Sequence, residues 1–369
     1  MKVTRVRLAG FLSYSTLDAE LGDFLNILTG ENASGKTNLV DSIHYAALGK
    51  SSRHNTDKEL INWNSKEGSR VIIDVQKRFS RHEIDIRIDP QGKKRVLVDK
   101  LPLTRIGELM GILNVVFFSP NELKLVKGGP ADRRRFIDIS LCQQNKTYFY
   151  SLQRYNSLIQ QRNKLLKTHK GKSSLQQMLG VINQDLVKSA SFVISERFLF
   201  IERMKKLAYA QHSMLTNNRE DLLLSYEGDI ENTSDITEIA ARLTTLLQES
   251  AANDMRLEYT TVGPHRDDIK MVASNVDIRK FGSQGQQRTT VLSLKLAEVA
   301  LFRERSGEMP VLLLDDVLSE LDVPRQEALF NAIDGIQTIV TCTEFDGAYL
   351  DTTKKFLIKD RKITELKKL

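Results

Sequence analysis

The sequence predicts an α/β protein with a mainly helical segment in the middle of the chain. Three observations carry that reading. Gly30-Glu31-Asn32-Ala33-Ser34-Gly35-Lys36-Thr37 fits the pattern G-x4-G-K-[ST] and lies between an apolar run and a helical stretch. Val311 to Leu314 is a continuous apolar run ending in Asp315 and Asp316, the pattern of a buried parallel strand with an acidic end. From about residue 121 the composition shifts toward Gln, Lys and Leu, with apolar residues at helical spacing.

The elements follow in order. Val3, Val6 and Leu8 suggest a first strand and Leu25 to Leu28 another. After the glycine-rich turn from Gly30, Leu39, Val40, Ile43, Ala46 and Ala47 recur three and four apart, which predicts a helix. Val71 to Val75 and Ile84 to Ile88 alternate, and Pro90-Gln91-Gly92 turns the chain toward Val96 to Val98, so a small antiparallel sheet is expected. Asn114 to Phe118 is a short apolar run closed by Ser119-Pro120. Arg133 to Ser140 opens the helical region, which Leu175, Leu179, Ile182, Leu186, Val193, Ile201 and Met204 continue to about residue 215. It is too short for a coiled-coil arm and predicts a compact lobe of packed helices, with a turn at Lys167 to Ser174. Beyond the polar break at Asn217 to Asp221, Leu222 to Tyr226, Arg256 to Thr261 and Asp268 to Ala273 read as strands. Gly282 to Gly285 opens another helix, and Pro324 starts one running to Ile333. Ile336 to Thr341 is a further buried strand, and Phe356 to Ile358 with Ile363 to Leu366 forms a closing hairpin. The expected division is residues 1–120, a helical lobe over 121–280, and 281–369.

Composition narrows the function classes. The 369 residues are 41% hydrophobic and 27% charged, ordinary for a protein with a real core. Lys plus Arg is 54 against 47 Asp plus Glu, a formal net charge of +7, which modestly favours a polyanionic partner. Cys142 and Cys342 are the two cysteines, and no Cys/His cluster suggests zinc or a disulfide framework. That fits a reducing cytoplasm. No apolar stretch approaches the ~18 residues a membrane helix needs, and the first residues carry no signal-peptide pattern.

The glycine-rich loop lets backbone N–H groups face phosphate oxygens at a helix N-terminus. Gly30 through Thr37, with Asn38, are therefore the expected nucleotide-binding residues. Lys36 would reach the β- and γ-phosphates, and Thr37 would ligate Mg²⁺. Asp315 is assigned to the metal and Asp316 to orienting the attacking water. Phe281-Gly282-Ser283-Gln284-Gly285-Gln286-Gln287-Arg288 opens a helix. A hydroxyl and exposed N–H groups there would suit a γ-phosphate, which makes Ser283, Gly285 and Gln286 candidates. Ser283 followed three residues later by Gln286 is equally a capping box.

Together these pieces resemble the ABC-type ATPase heads of the SMC and Rad50 superfamily. Ser283-Gln284-Gly285-Gln286-Gln287 looks like their signature motif, and Ser319-Glu320-Leu321-Asp322 like the loop after the acidic strand. The resemblance implies a P-loop ATPase head, lobe I, built from both chain ends, with the helical lobe II inserted and no long coiled coil. A more specific resemblance, through nearly the whole chain, is to the RecF recombination-mediator family. Its marks are Phe118-Ser119-Pro120-Asn121-Glu122-Leu123, Lys127-Gly128-Gly129-Pro130, Arg133-Arg134-Arg135-Phe136-Ile137-Asp138, Gly263-Pro264-His265-Arg266-Asp267-Asp268 and the Asp315-Asp316 pair. Transporter ATPases usually have Asp-Glu at that pair, and the shorter second carboxylate fits slow hydrolysis. Thr341-Cys342-Thr343 falls where transporters carry a switch histidine, and no histidine stands there.

The family resemblance implies an ATP-dependent homodimer that sandwiches two ATP molecules, each between one P-loop and the opposing Ser283. It implies binding of double-stranded DNA and of single-strand/duplex gap junctions, weak DNA-stimulated ATP hydrolysis, and work with RecR and RecO toward RecA loading. Arg53, in Ser51-Ser52-Arg53-His54, could contact phosphate or DNA, or belong to a solvated loop. Arg133 and Arg134 could bind DNA or form salt bridges between the lobes. His265 to Asp268 is read as structural rather than as a metal site, and Trp63 as a packing residue. The competing functions are an ABC transporter subunit, which the helical lobe argues against, and a module that binds ATP without turnover. Intact Lys36, Asp315 and Asp316 argue against the second.

Overall fold

The computed structural model describes residues 1–168, 174–230, 233–343 and 353–366. The chain divides into two compact units, Met1–Glu122 with Lys295–Leu369, and Leu123–Leu294.

The first unit opens with strands β1 (Lys2–Phe11) and β2 (Tyr14–Glu20), then β3 (Leu25–Thr29) and helix α1 (Lys36–Leu48). Strands β4 (Ser69–Gln76), β5 (Arg81–Ile88), β6 (Lys94–Val98) and the short β7 (Leu101–Pro102) follow, then β8 (Val115–Phe118). β1, β2 and β4 to β7 form an antiparallel sheet in the order β2-β1-β4-β5-β6-β7. Val3, Val6, Val71, Ile73, Ile84 and Ile86 are all fully buried, so the alternation in the sequence does become one covered face.

The chain then enters the second unit with the short α2 (Lys124–Lys127), α3 (Pro130–Gln144) and two long helices, α4 (Lys146–Thr168) and α5 (Leu175–Leu215). α5 has 41 residues, a rod of about 60 Å. The expected turn at Lys167 to Ser174 lies largely outside the described residues. β9 (Leu222–Glu227), α6 (Ile236–Glu249), α7 (Ala251–Leu257), β10 (Asp268–Ala273), β11 (Val276–Asp277), α8 (Ile278–Phe281) and α9 (Gln284–Ser306) complete the order, with a small sheet β11-β10-β9.

One expected strand is absent. Arg256 to Thr261 falls on the end of α7 and a turn, with Glu258 at φ 64°. Its local alternation is overruled by Asp254, whose Oδ1 accepts from the amide and hydroxyl of Thr261 at 2.9 and 2.6 Å. The other oxygen takes Nη1 of Arg162 at 2.7 Å, and both members of this pair are buried.

Back in the first unit come β12 (Val311–Asp315), α10 (Val323–Ala332), β13 (Thr338–Thr341), β14 (Lys354–Lys359) and β15 (Lys362–Leu366). They join β3 and β8 in a second sheet, β15-β14-β3-β13-β12-β8, parallel except for the β14–β15 hairpin. Every residue of β8, β12 and β13 is buried, as expected of parallel strands covered on both faces. Strands from both chain ends alternate in this sheet, and their register places Leu28, Thr341 and Asp315 side by side.

Trp63 does not pack. Its side chain is 100% exposed, because it follows Asn62 on a turn whose polar groups, not its apolar ones, hold it to the sheet.

Candidate nucleotide site

The carboxyl ends of parallel strands are where open α/β sheets place ligands, and here the ends of β3, β13 and β12 lie adjacent. The loop from Gly30 to Gly35 leaves β3 and enters α1. Gly30 and Gly35 sit at φ 145° and 115°. A Cβ on Gly30 would stand 2.3 Å from the carbonyl oxygen of Ile358, so this residue must be glycine. α1 has no side-chain cap and no acidic residue in its first turn. Its N-terminus therefore keeps backbone donors and partial positive charge available to an anion. Glu31, Asn32 and Ala33 are exposed at the rim, and Ser34 is half-buried. Asn38 donates to Ser13 Oγ at 2.8 Å, tying α1 to the β1–β2 turn.

Lys36 folds back across this loop. Its Nζ donates to the carbonyls of Gly30 at 2.6 Å and Glu31 at 2.8 Å. Burial lowers its ammonium below the ordinary lysine value, while Asp316, Cys342 and Asp315 oppose that shift. An incoming polyphosphate would supply the countercharge that the two carbonyls only partly replace.

Asp315 ends β12 and is 1% exposed. Its Oδ1 accepts from Thr37 Oγ1 at 2.8 Å and Thr341 Oγ1 at 2.9 Å. Its Oδ2 accepts from Arg53 Nη2 at 2.8 Å. Thr37 and Asp315 thus offer two hard oxygens side by side, with a cationic group already beside the carboxylate. That donor set suits Mg²⁺, which binds through one or two protein oxygens and takes the rest from phosphates and water. No cluster of three His, Cys, Asp or Glu occurs among the described residues, so a cage made of protein ligands alone is not what these residues build.

Asp316 follows at φ 55°, a left-handed conformation that an L-residue holds only when its surroundings fix it. Its amide donates to Thr341 Oγ1 at 2.9 Å, and its carboxylate is exposed at the sheet edge, accepting from Ser319 Oγ at 3.2 Å. Thr341 thereby holds both aspartates at once. Sequence reasoning marked this position only for lacking a histidine. It missed the hydroxyl because the pairing of Asp315 with Thr341 is a matter of strand register across 26 residues.

A second residue missed is Asp41. It is 1% exposed on α1 and accepts from Ser51 Oγ and Ser52 Oγ, both at 2.8 Å. Ser51 Oγ in turn accepts from the Arg53 amide at 3.1 Å. The loop that presents Arg53 is tied to α1 through Asp41, and the exposed guanidinium donates to Asp315.

The remaining expected residues stand in the second unit. Ser283 is exposed, Ser283 Oγ accepts from the Gln286 amide at 3.2 Å, and the Ser283 amide donates to Gln286 Oε1 at 3.0 Å. This is the reciprocal capping box, with Gly285 half-buried in the first turn. Gln286 also donates to Glu220 at 3.2 Å. Arg133 is 3% exposed and grips both oxygens of Asp268 at 2.5 and 2.9 Å, so its donors are committed inside the unit. Arg134 donates to the Asp267 carbonyl at 2.6 Å. The expected DNA contact therefore does not suit Arg133, whose charge is already neutralised and buried.

Residues 2–347 match the family described as RecF/RecN/SMC N terminal domain. A "DNA replication and repair protein RecF" of Clostridium botulinum (strain ATCC 19397 / Type A) is 40% identical over 367 residues, 98% of this chain and 99% of that one. This chain belongs to the RecF family. A RecF protein of Lachnoclostridium phytofermentans is 41% identical over 365 residues, 97% of this chain and 98% of its own length. Among solved structures, the recombination mediator protein RecF-ATPrS in the RecFOR pathway superposes with a TM-score of 0.92 at 30% identity, over 99% of this chain and 98% of that one. An Smc head bound to the C-winged helix domain of ScpA superposes at 0.58 with 16% identity, over 99% of this chain and 98% of that one. That likeness is one of fold, and together with the RecF superposition it gives the chain the fold of an ABC-type ATPase head.

Proposed function

We propose that this RecF-family chain is an ATP-dependent DNA-binding protein of recombinational repair and replication-gap processing. ATP joins two copies into a clamp on DNA, and slow hydrolysis releases it. The observation that carries the reading is the convergence of Lys36, Thr37, Asp315 and Asp316 at one sheet edge. Lys36 and the α1 N-terminus bind the phosphates. Thr37 and Asp315 hold Mg²⁺, which supplies charge neutralisation at the phosphates. Asp316 orients water toward the γ-phosphorus, the bond to the β-phosphate bridging oxygen breaks, and ADP and phosphate leave. DNA stimulates this turnover.

Ser283 completes the nucleotide site of a partner copy, with Gly285 and Gln286 contributing from the same helix start. Its exposure leaves it accessible to a partner copy. ATP binding then shifts monomer toward dimer by mass action. The RecFOR pathway of the solved relative supports RecR and RecO as partners, and help in RecA loading belongs to the same proposal. Arg134 remains a candidate for DNA contact, and Arg53 for phosphate contact once Asp315 engages a metal. A cytoplasmic location and three segments at 1–120, 121–280 and 281–369 belong to the same reading. Among the described residues no helix is long and apolar enough to cross a membrane.

Sedimentation with and without ATP–Mg²⁺, and with a gapped duplex, tests the clamp. An ATP-dependent monomer-to-dimer shift that Ser283→Arg abolishes is expected. No shift under any condition would overturn the mechanism.

A further inference from the structure

The antiparallel sheet of the first unit carries a groove of about 950 Å³ on its uncovered face. Five cations, Arg70, Arg87, Lys93, Lys94 and Arg95, line it against two carboxylates, Glu67 and Asp89. Three of the cations form a row. Arg70 on β4 is the register partner of Arg87 on β5, which is the partner of Arg95 on β6. Adjacent strands lie ~4.8 Å apart, so the row spans roughly 10 Å.

Like charges directly opposite one another on neighbouring strands destabilise a sheet. Only part of that cost is relieved here. Buried Asp85 takes Nε and Nη2 of both Arg70 and Arg87, at 2.7 to 3.0 Å. Arg95 has no carboxylate partner among the described residues and is exposed. Asp89 is engaged by the amides of Gln91 and Lys93 at 3.0 and 2.8 Å. Lys94 is paired with Asp57 at 2.9 Å, so the charge that the groove keeps unneutralised is carried by Arg95 and by the two arginines that share the single carboxylate of Asp85.

Trp63 stands at the rim, between the groove-lining residues Asn62 and Asn64. Its indole is fully exposed, yet its backbone is pinned. The Asn62 amide donates to the Gly10 carbonyl at 2.8 Å and its side chain to the Leu12 carbonyl at 2.6 Å. The Asn64 amide donates to Asn62 Oδ1 at 2.9 Å, and Ser65 Oγ to the Gly68 carbonyl at 2.6 Å. A large aromatic exposed to water on a pinned backbone, beside a cationic track, is the arrangement that binds a strand by its backbone and stacks one of its bases.

We infer that this groove is a DNA-strand site, in which the Arg70–Arg87–Arg95 row carries backbone phosphates and Trp63 stacks on an unpaired base at a gap junction. The inference rests on the DNA-binding reading above and assigns it a face. Charge complementarity supplies the affinity, and the indole supplies the preference for unpaired over fully paired DNA, whose bases cannot reach it.

Trp63 is the single tryptophan of the chain, so its fluorescence reports this site alone. The full chain with ATP–Mg²⁺ is titrated with a gapped duplex and with an intact duplex of equal length, and binding is followed in parallel by sedimentation. Quenching of Trp63 by the gapped duplex and little by the intact one is expected. Trp63→Ala should lose ~5-fold or more in affinity for the gapped duplex, and Trp63→Phe should restore most of it. Arg95→Ala should weaken both DNAs and lower the slope of log K against log salt by ~0.7 to 0.9. Circular dichroism confirms that each variant is folded. Gapped DNA bound with unchanged fluorescence, or with unaltered affinity by both Trp63→Ala and Arg95→Ala, overturns the site and leaves the DNA reading standing. No binding of any DNA by the unaltered chain overturns both.

Discussion

Thr341→Val removes one hydroxyl and keeps the volume, which isolates the hydrogen bonds that tie Asp315 to Asp316. In the unaltered chain Thr341 Oγ1 donates to Asp315 Oδ1 at 2.9 Å and accepts from the Asp316 amide at 2.9 Å. Asp315 keeps two donors after the change, Thr37 at 2.8 Å and Arg53 at 2.8 Å, so its carboxylate stays satisfied. The Asp316 amide is left without that acceptor, at a cost of ~1–3 kcal/mol. Asp316 already holds φ 55°, and the hydrogen bond of its amide opposes relaxation together with Ser319 Oγ, which donates to its carbonyl at 2.9 Å. If all of that energy serves to aim the Asp316 carboxylate, the rate of the chemical step falls by ~5- to 150-fold. The phosphate-binding loop and Lys36 are untouched, so ATP affinity should change less than threefold. Single-turnover phosphate release gives the rate, and equilibrium titration with a fluorescent ATP analogue gives the affinity. Thr341→Ser keeps the hydroxyl and should remain within a few-fold of the unaltered chain. Thr341→Val hydrolysing at the normal rate, or Thr341→Ser failing as badly as Thr341→Val, would refute the reasoning.

Two further outcomes follow from the same geometry. Asp316→Asn keeps the shape of the exposed side chain but weakens its hold on water. It should lower hydrolysis by ~10²-fold or more and lengthen the life of the ATP-bound dimer, as measured by sedimentation and phosphate release; normal turnover with an unchanged dimer would remove Asp316 from this role. In the second unit, His265 donates or accepts at Tyr155 Oη, and its Nε2 lies 3.0 Å from the Thr260 carbonyl. Burial pushes its pKa below 6.5, partly opposed by that carbonyl. The unfolded chain therefore binds the proton more readily than the folded one, and the stability held above pH 6.5 is lost as pH falls through the folded value. Chemical denaturation between pH 7.5 and 5 should show that decline, and His265→Gln should flatten it; an equal slope in the variant would assign the decline to other groups.

What was legible in the sequence is what is local or periodic. The turn at Gly30 to Gly35 announces itself because its backbone requires glycine where Ile358 approaches. The buried strands β3, β12 and β13 announce themselves because a strand covered on both faces is a short, mostly apolar run, its few polar residues such as Asn26 and Thr341 finding partners inside. The strand expected at Arg256 to Thr261 failed for the complementary reason. Its alternation is real, but Asp254 gathers Arg162 and Thr261 from 92 and 7 residues away and winds the segment around itself. A single carboxylate outweighs the pattern, and no window of sequence contains both partners.

The same distinction governs the functional residues. Lys36, Thr37 and Asp315 lie in contiguous motifs, whereas Thr341, Asp41 and the arginine row acquire their roles only through register and folding. Arg70, Arg87 and Arg95 are separated by 17 and 8 positions and read as ordinary surface charges until three strands align them. Trp63 was misread because a lone tryptophan usually gains by burial. Here polar groups on either side of it fix the backbone while the ring is left in water, so the apolar surface serves something other than the core. The sequence leaves Arg133 open between DNA contact and a salt bridge, because a run of three arginines reads either way until Asp268 takes one of them inside. Charge and apolarity in a sequence state what a side chain can do, and only its partners in the fold decide whether that capacity is already spent.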